Sequence, residues 1–325
     1  MVKIGIMSFA HMHATSYAGV LNELPNAELT GIADHDSQRA AAMAEKFGTK
    51  VFPSYDALLE SDIDGVVITS ENSMHKELTT MAAKAGKHVL CEKPISTTIE
   101  DGQAMIDVCR DNGVQLMTAF PCRFCASIMR LKELADSGEL GEILAIKGAN
   151  RGKMPGGWFI EADKSGGGAV IDHTVHVADI MRWITRSEPV KVYAEISNAM
   201  HHGDYDDCGM LNIEFANGVY ATLDTSWSRP KSYPTWGDVL MQVVGSKGMA
   251  DMDMFAQNVE VYSDKDMSAT WMNWGDASDY AMISDFVQCL EDKTPVKVTG
   301  EDGLQAVAVA LAAYRSARLG EPVGL

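Results

Sequence analysis

Asp172 and His176 stand four residues apart in the stretch Gly166-Gly167-Gly168-Ala169-Val170-Ile171-Asp172-His173-Thr174-Val175-His176. The apolar pattern after the glycines predicts a helix, and this spacing puts both side chains on one helical face. An imidazole that titrates near neutral pH beside a carboxylate is a ready proton acceptor. The three glycines let the chain turn tightly or approach a ligand closely. The plain alternative is a glycine loop before a half-buried helix with two incidental polar residues. A third reactive group lies far upstream. Lys93, in Cys91-Glu92-Lys93-Pro94, ends a strand-like run. Pro94 stiffens that turn and aims the lysine, whose ammonium can stabilise negative charge developing on an oxygen.

Elements that could carry these groups are legible on both sides. Over residues 1–120, short apolar β-branched runs (3–8, 28–33, 65–69, 88–91, 115–119) alternate with helical patterns (12–24, 37–47, 55–60, 73–85, 98–112). Alternation of this kind implies βαβ units and a doubly wound parallel sheet, the α/β Rossmann arrangement. From residue 121 to 325 the pattern changes. A helix over 124–137 and a strand over 143–149 precede the helix over 169–184. Long alternating runs follow (190–197, 209–215, 220–227, 239–244), then helices over 280–291 and 302–319. This predicts an α+β domain with a mostly antiparallel open sheet.

Bulk properties narrow the partners. The chain has 325 residues and a net charge of −18. Such a charge offers no basic field for nucleic acid or an anionic membrane surface. No apolar run is long enough to span a bilayer, and residues 1–7 lack the pattern of a secretion signal, so a cytoplasmic enzyme is expected. Six cysteines are spread over the chain. Cys122 and Cys125 have C-x-x-C spacing, but one such pair cannot complete a zinc site. Structural or pocket-lining thiols are expected in a reduced compartment.

The first βα turn is read as Gly5-Ile6-Met7-Ser8-Phe9-Ala10-His11. Gly5 and Ala10 fit the outer positions of a G-x-G-x-x-A fingerprint, with Met7 where the middle glycine belongs. Free N–H groups at the following helix start could meet a phosphate. Asp34 follows the second strand, where a carboxylate can bond a ribose 2′-OH and repel a 2′-phosphate, so NAD is expected over NADP. The alternative is that Asp34 or Asp36 caps the next helix. Thr69, Ser70, Asn72, His75, Glu92 and Lys93 complete the expected cofactor contacts. His11 and His13 form a His-x-His pair without an apparent further ligand, so no metal is expected. A substrate pocket should draw on Lys93, Arg123, Arg151, Lys153, Trp158, Asp172, His173 and His176. Residues 150–159, from Asn150 to Phe159, read as a polar, glycine-bearing specificity loop. Residues 204–207 read as part of a solvated hairpin loop.

The string Ala85-Gly86-Lys87-His88-Val89-Leu90-Cys91-Glu92-Lys93-Pro94 resembles the signature of the Gfo/Idh/MocA family, named partly for glucose–fructose oxidoreductase and inositol dehydrogenase. The glycine-led segment ending at His176 resembles the family's second signature. The resemblance runs from end to end of the chain. It implies a Rossmann domain, then a domain whose open sheet serves assembly as a homodimer or homotetramer. It implies NAD(P)-linked oxidation or reduction of a sugar, polyol or inositol-like substrate. Lys93, Asp172 and His176 match the family's catalytic residues; Glu92 and Pro94 match the rest of the first signature. Met7, and His173-Thr174 where a glycine is common, depart from the pattern. Two other activities would use the same fold: a lyase or glycosidase that oxidises a sugar transiently and regenerates its cofactor, and a dinucleotide-sensing regulator.

Overall fold

A computed structural model describes residues 1–256, 258–263, 267–273 and 277–325. The elements in chain order are β1 (Val2–Met7), α1 (His13–Glu23), β2 (Ala27–Ala33), α2 (Ser37–Phe47), β3 (Lys50–Val51), α3 (Tyr55–Leu59), β4 (Gly65–Ile68), α4 (His75–Lys84), β5 (His88–Cys91), α5 (Ile99–Asp111) and β6 (Leu116–Thr118). They continue as α6 (Ala126–Asp136), β7 (Ile143–Gly152), α7 (Ala162–Ser165), α8 (Ala169–Thr185), β8 (Pro189–Ser197), β9 (Cys208–Phe215), β10 (Tyr220–Ser226), β11 (Gly237–Gly245) and β12 (Met249–Asp253). Last come β13 (Asn258–Ser263), β14 (Ser268–Asn273), α9 (Ser278–Asp292), α10 (Gly300–Leu319) and β15 (Val323–Gly324).

The chain divides into two compact units. One comprises Met1–Pro121, Asp163–Gly166 and Ser278–Leu304; the other comprises Cys122–Ala162, Gly167–Ala277 and Gln305–Leu325. The single boundary expected after residue 120 therefore does not describe the first unit fully. Its later segments return because α9 packs on α1 and β1, a contact that local patterning cannot reveal.

The first unit holds a six-stranded sheet in the order β3-β2-β1-β4-β5-β6, with every pairing parallel. All four residues of β4 are buried, as a sheet covered on both faces requires. Local chemistry sets the helix starts. Asp36, Ser54 and Thr98 cap α2, α3 and α5 by accepting backbone N–H groups of the first turn.

The second unit holds a seven-stranded sheet, β12-β11-β7-β10-β9-β8-β15. It is mixed and mostly antiparallel; the exception is β7 with β10, which run parallel. Along β9, Leu211, Ile213 and Phe215 face the core and Met210 faces out. Helix α8 packs on β7, β9 and β10. Its Val177, Ile180, Met181 and Ile184 are buried, each contributing roughly 1.5–3 kcal/mol. Gly148 on β7 permits this approach, because a Cβ there would lie 2.7 Å from Met181 and 2.8 Å from Val177.

Candidate active site

In the first unit, the loop that joins β1 to α1 runs from residue 8 to residue 12, three residues later than the sequence reading placed its start. Gly5 and Met7 lie inside β1 and not in a phosphate turn. Met7 is fully buried, and Gly5 faces Leu58. The register expected from Gly5 and Ala10 is therefore too early, because β1 stays paired with β2 and β4 through Met7. Ser8, with φ of 74°, takes the left-handed position that a glycine would fill. Thr69 holds it there by donating its hydroxyl to the Ser8 carbonyl at 2.7 Å, and the His11 N–H donates to the Thr69 carbonyl at 2.9 Å. The Ala10 N–H donates to Ser8 Oγ at 3.1 Å.

This loop sits where strand order reverses between β1 and β4, the crevice that receives a dinucleotide in sheets of this order. Ser8, Asp34, Thr69, Ser70, Asn72 and Lys93 all follow the carboxyl ends of neighbouring strands, so the donor set fits such a group. Asp36 is the α2 cap, which leaves Asp34 for other partners. Its Oδ2 accepts from the Phe9 N–H at 2.6 Å and from Arg39 Nε at 2.7 Å; its Oδ1 accepts from Arg39 Nη2 at 2.7 Å. Arg39 therefore sets a cation beside the carboxylate expected to face the ribose 2′-OH.

Lys93 is buried, and its bond to Pro94 is cis. Two neighbours fix the turn. Glu92 Oε2 accepts the Lys93 N–H at 3.0 Å, and buried His75 donates from Nδ1 to the Pro94 carbonyl, 3.0 Å away. His75, expected at the cofactor, thus supports the lysine turn from within the core. Burial lowers its pKa below the ordinary histidine value. Asn72 donates from Nδ2 to the Ser165 carbonyl at 2.8 Å, and Ser70 Oγ to the Glu71 carbonyl at 3.1 Å.

Glu92 is wholly buried, and its Oε1 accepts the Tyr17 hydroxyl at 2.6 Å and lies 3.0 Å from His13 Nδ1. His11 Nδ1 stands 3.9 Å from the same oxygen. Burial alone would raise the Glu92 carboxyl; the nearby His11, His13 and Lys93 outweigh it and hold the carboxyl far below the usual range. Burial likewise pulls His13 down, and the Glu92 charge more than offsets it, so His13 titrates above its ordinary value. Glu92 is also the further ligand that His11 and His13 lacked in sequence, since the three offer ligand atoms within 4.8 Å of one another.

In the second unit, α8 carries Asp172 and His176. Its start is built by residues that sequence reading set aside. Asp206, expected in a solvated loop, accepts the Gly168 N–H at 2.9 Å and the Val170 N–H at 2.7 Å. Tyr314 donates to Asp206 at 2.8 Å while its oxygen accepts the Gly168 and Ile171 N–H groups at 3.2 Å. A Cβ on Gly168 would lie 2.0 Å from the Asp206 carbonyl, and one on Gly167 2.2 Å from the Tyr314 hydroxyl, so the glycines make room for the cap. Asp207 is also buried and accepts the His201 and Met200 N–H groups at 2.6 and 3.0 Å.

Asp172 Oδ2 accepts the Trp227 indole N–H at 3.1 Å and lies 3.2 Å from His173 Nε2. His173 is buried and donates from Nδ1 to the Asn150 carbonyl at 2.9 Å, so its ring backs Asp172. His176 is buried, with Cys122 Sγ 3.8 Å from its Nδ1. Cys125 turns elsewhere, 3.3 Å from Ser127 Oγ and with its thiol directed at the Met254 carbonyl; neither cysteine is in a disulfide.

Other expected pocket residues have structural partners within this unit. Arg123 grips Asp179 through two bonds, of 2.6 and 2.5 Å, and its guanidinium lies over Trp183. Asn150, Arg151 and Gly152 belong to β7 and not to a loop, because the strand continues between β10 and β11. Arg151 bonds Asp238 at 3.2 Å, an acceptor it shares with Arg229. Trp158 stacks on Phe159 with ring centroids 3.9 Å apart, against a small cluster that includes Trp227. Lys153 is half-buried, and its backbone N–H bonds the Trp236 carbonyl at 2.8 Å.

These features define a Rossmann-type unit with a crevice where strand order reverses, followed by a unit built on a mixed sheet. Residues 2–120 match the oxidoreductase family with an NAD-binding Rossmann fold, and residues 128–251 match the GFO/IDH/MocA C-terminal domain. The chain belongs to the Gfo/Idh/MocA oxidoreductase family. It is 33% identical over 264 residues to an uncharacterized oxidoreductase of Streptococcus pneumoniae serotype 4, covering 78% of this chain and 69% of that protein. It is 30% identical over 330 residues to an inositol 2-dehydrogenase of Rhizobium meliloti, covering 97% and 96%. Among solved structures, GenD2 from gentamicin A biosynthesis, crystallised with NAD, matches with a TM-score of 0.91 at 25% identity, covering 100% of this chain and 96% of that one. Among the described residues, no helix is long and apolar enough to cross a membrane.

Proposed function

We propose that the chain is an NAD-dependent dehydrogenase acting on a secondary hydroxyl, or in reverse a carbonyl, of a sugar, polyol or inositol-like substrate. The observation that carries this reading is the preparation of both signatures. Lys93 sits on a turn braced by Glu92 and His75, while Asp172 and His176 lie one turn apart on a capped helix. The inositol 2-dehydrogenase among the relatives favours the substrate class.

When bound, NAD supplies the hydride acceptor. Ser8, Phe9, Ala10 and His11 would line its phosphates, and Asp34 its ribose. The protein's own part is proton handling and orientation. His176 accepts the hydroxyl proton on its imidazole, a positioned base worth about 10²–10⁴-fold in rate. Lys93 donates from Nζ to a substrate oxygen and stabilises its developing charge. Asp172, fixed by the Trp227 indole, accepts from a neighbouring substrate hydroxyl and sets the substrate's orientation. Asp34 favours NAD; Arg39 beside it lets NADP bind more weakly, not be excluded. This reading invokes no metal at the His11–His13–Glu92 group.

The test is absorbance at 340 nm with a panel of inositols, polyols and sugars, using NAD and NADP in parallel. NADH should accumulate in step with product. Lys93→Ala and His176→Ala should keep NAD binding and lose about 10²–10⁴-fold in kcat/KM. Product without net NADH would make the enzyme a redox-neutral lyase, and unchanged turnover in either variant would remove that residue from the mechanism.

A further inference from the structure

Cys122 and Arg123 are consecutive residues of the 3-10 turn Pro121–Phe124. They touch α8 at two positions one helical turn apart. Arg123 binds Asp179 with two buried charge-assisted bonds of 2.6 and 2.5 Å. Cys122 faces His176 with Sγ 3.8 Å from Nδ1. Both Cys122 and His176 are at least nine-tenths buried, at 4% and 5% exposure, so bulk water does not compete freely for this contact. The planar guanidinium fork fixes the turn along the helix axis, which fixes the height of the thiol against the ring.

We propose that Cys122 is a positioning residue that selects the tautomer of His176. The inference rests on His176 as the proton acceptor. A neutral imidazole carries one N–H, and the partner of one nitrogen decides which. With Sγ as the acceptor for Nδ1–H, the lone pair is on Nε2, the nitrogen through which His176 then takes the substrate proton. A thiol is a weak partner. It orients the ring without the fixed negative charge that a carboxylate at this position would place beside the base. Arg123 acts one step further back, as the clamp that holds Cys122 in place. The first member of the C-x-x-C pair thus acts by contact, with no disulfide and no metal.

Histidine side-chain ¹⁵N NMR on the full-length protein reads the tautomer directly, with His176 assigned by comparison with His176→Gln. The wild type should show His176 protonated on Nδ1. Cys122→Ala should move it toward the Nε2–H form, and Cys122→Ser should restore it. In NAD-linked turnover of the best substrate from the panel, Cys122→Ala should lower kcat about tenfold, a fraction of the full effect of a general base. It should also shift the acid limb of kcat/KM to lower pH with NAD affinity unchanged, and Cys122→Ser should recover most of the rate. An Nε2–H tautomer in the wild type would overturn the proposal. So would a Cys122→Ala protein whose tautomer and acid limb match the wild type, even at reduced rate, because packing alone would then be the cause. Wild-type turnover in His176→Gln would instead sink the base assignment, while the tautomer spectrum still reports on Cys122 by itself.

Discussion

Two histidines of the first unit, His13 and His75, titrate in opposite directions because of what each one faces. Glu92 holds His13 above its ordinary value, while burial pushes His75 below it. A histidine whose folded pKa is raised adds stability below about pH 6.5 and loses it as pH rises through the folded value. A carboxyl whose folded pKa is depressed adds stability above about pH 4.3 and loses it as pH falls toward the folded value. The Glu92–His13 contact therefore stabilises most between those limits. We expect Glu92→Gln to destabilise the protein most in that window, with the gap to wild type shrinking above it. The His13 midpoint in an NMR titration should fall in the variant, since desolvation and the Lys93 charge are then opposed only by the weaker Asp279 charge. A His13 midpoint that does not move would show that Glu92 is not its counter-charge.

At the level of the element, α8 depends on side chains distant in sequence. Asp206 accepts two N–H groups of its first turn, and Tyr314 braces that carboxylate. Burial and the Asp206 charge push the Tyr314 hydroxyl well above the usual tyrosine range, so it stays a neutral donor. Removing a capping carboxylate costs about 0.5–2 kcal/mol. Here the loss also takes the acceptor of the Val170 N–H, so Asp206→Ala should reach the upper end of that range in urea unfolding. Because α8 carries Asp172 and His176, kcat/KM should fall as well, while NAD affinity holds. Unchanged stability would mean that water caps the helix equally well. No equivalent device is needed at α2, α3 or α5, whose caps are their own neighbours in sequence.

At the level of the molecule, one face of the seven-stranded sheet lacks a helical cover among the described residues. Met210 and Tyr220 are exposed there at 53% and 62%, and Met210 lines a recess of about 700 Å³ together with Thr222, Gln242 and Asp251. Apolar exposure of this kind on a broad sheet face fits a subunit interface. We propose assembly as a homodimer or homotetramer through it. Met210→Glu combined with Tyr220→Lys should convert the oligomer to monomer in sedimentation velocity without loss of fold. An unchanged oligomer would place the contact on another surface.

The sequence alone determined the strand–helix alternation and the change to long antiparallel runs, and it marked Lys93, Asp172 and His176 as candidates. Those features are local: a period of two or 3.6 residues, a proline after a lysine, a four-residue spacing on a helix. Tertiary structure decided the rest. It moved the phosphate loop to Ser8, because strand pairing and not glycine count ends β1. It committed Arg123 to Asp179 and Arg151 to Asp238, charges that looked available only while their acceptors were far away in the chain. It made Asp206 a cap, Glu92 a counter-charge and Cys122 the neighbour of His176. Each depends on groups brought together by the packing of whole elements. A single sequence records which groups exist and how they repeat, whereas a partner dozens of residues away is fixed only when the chain closes on itself.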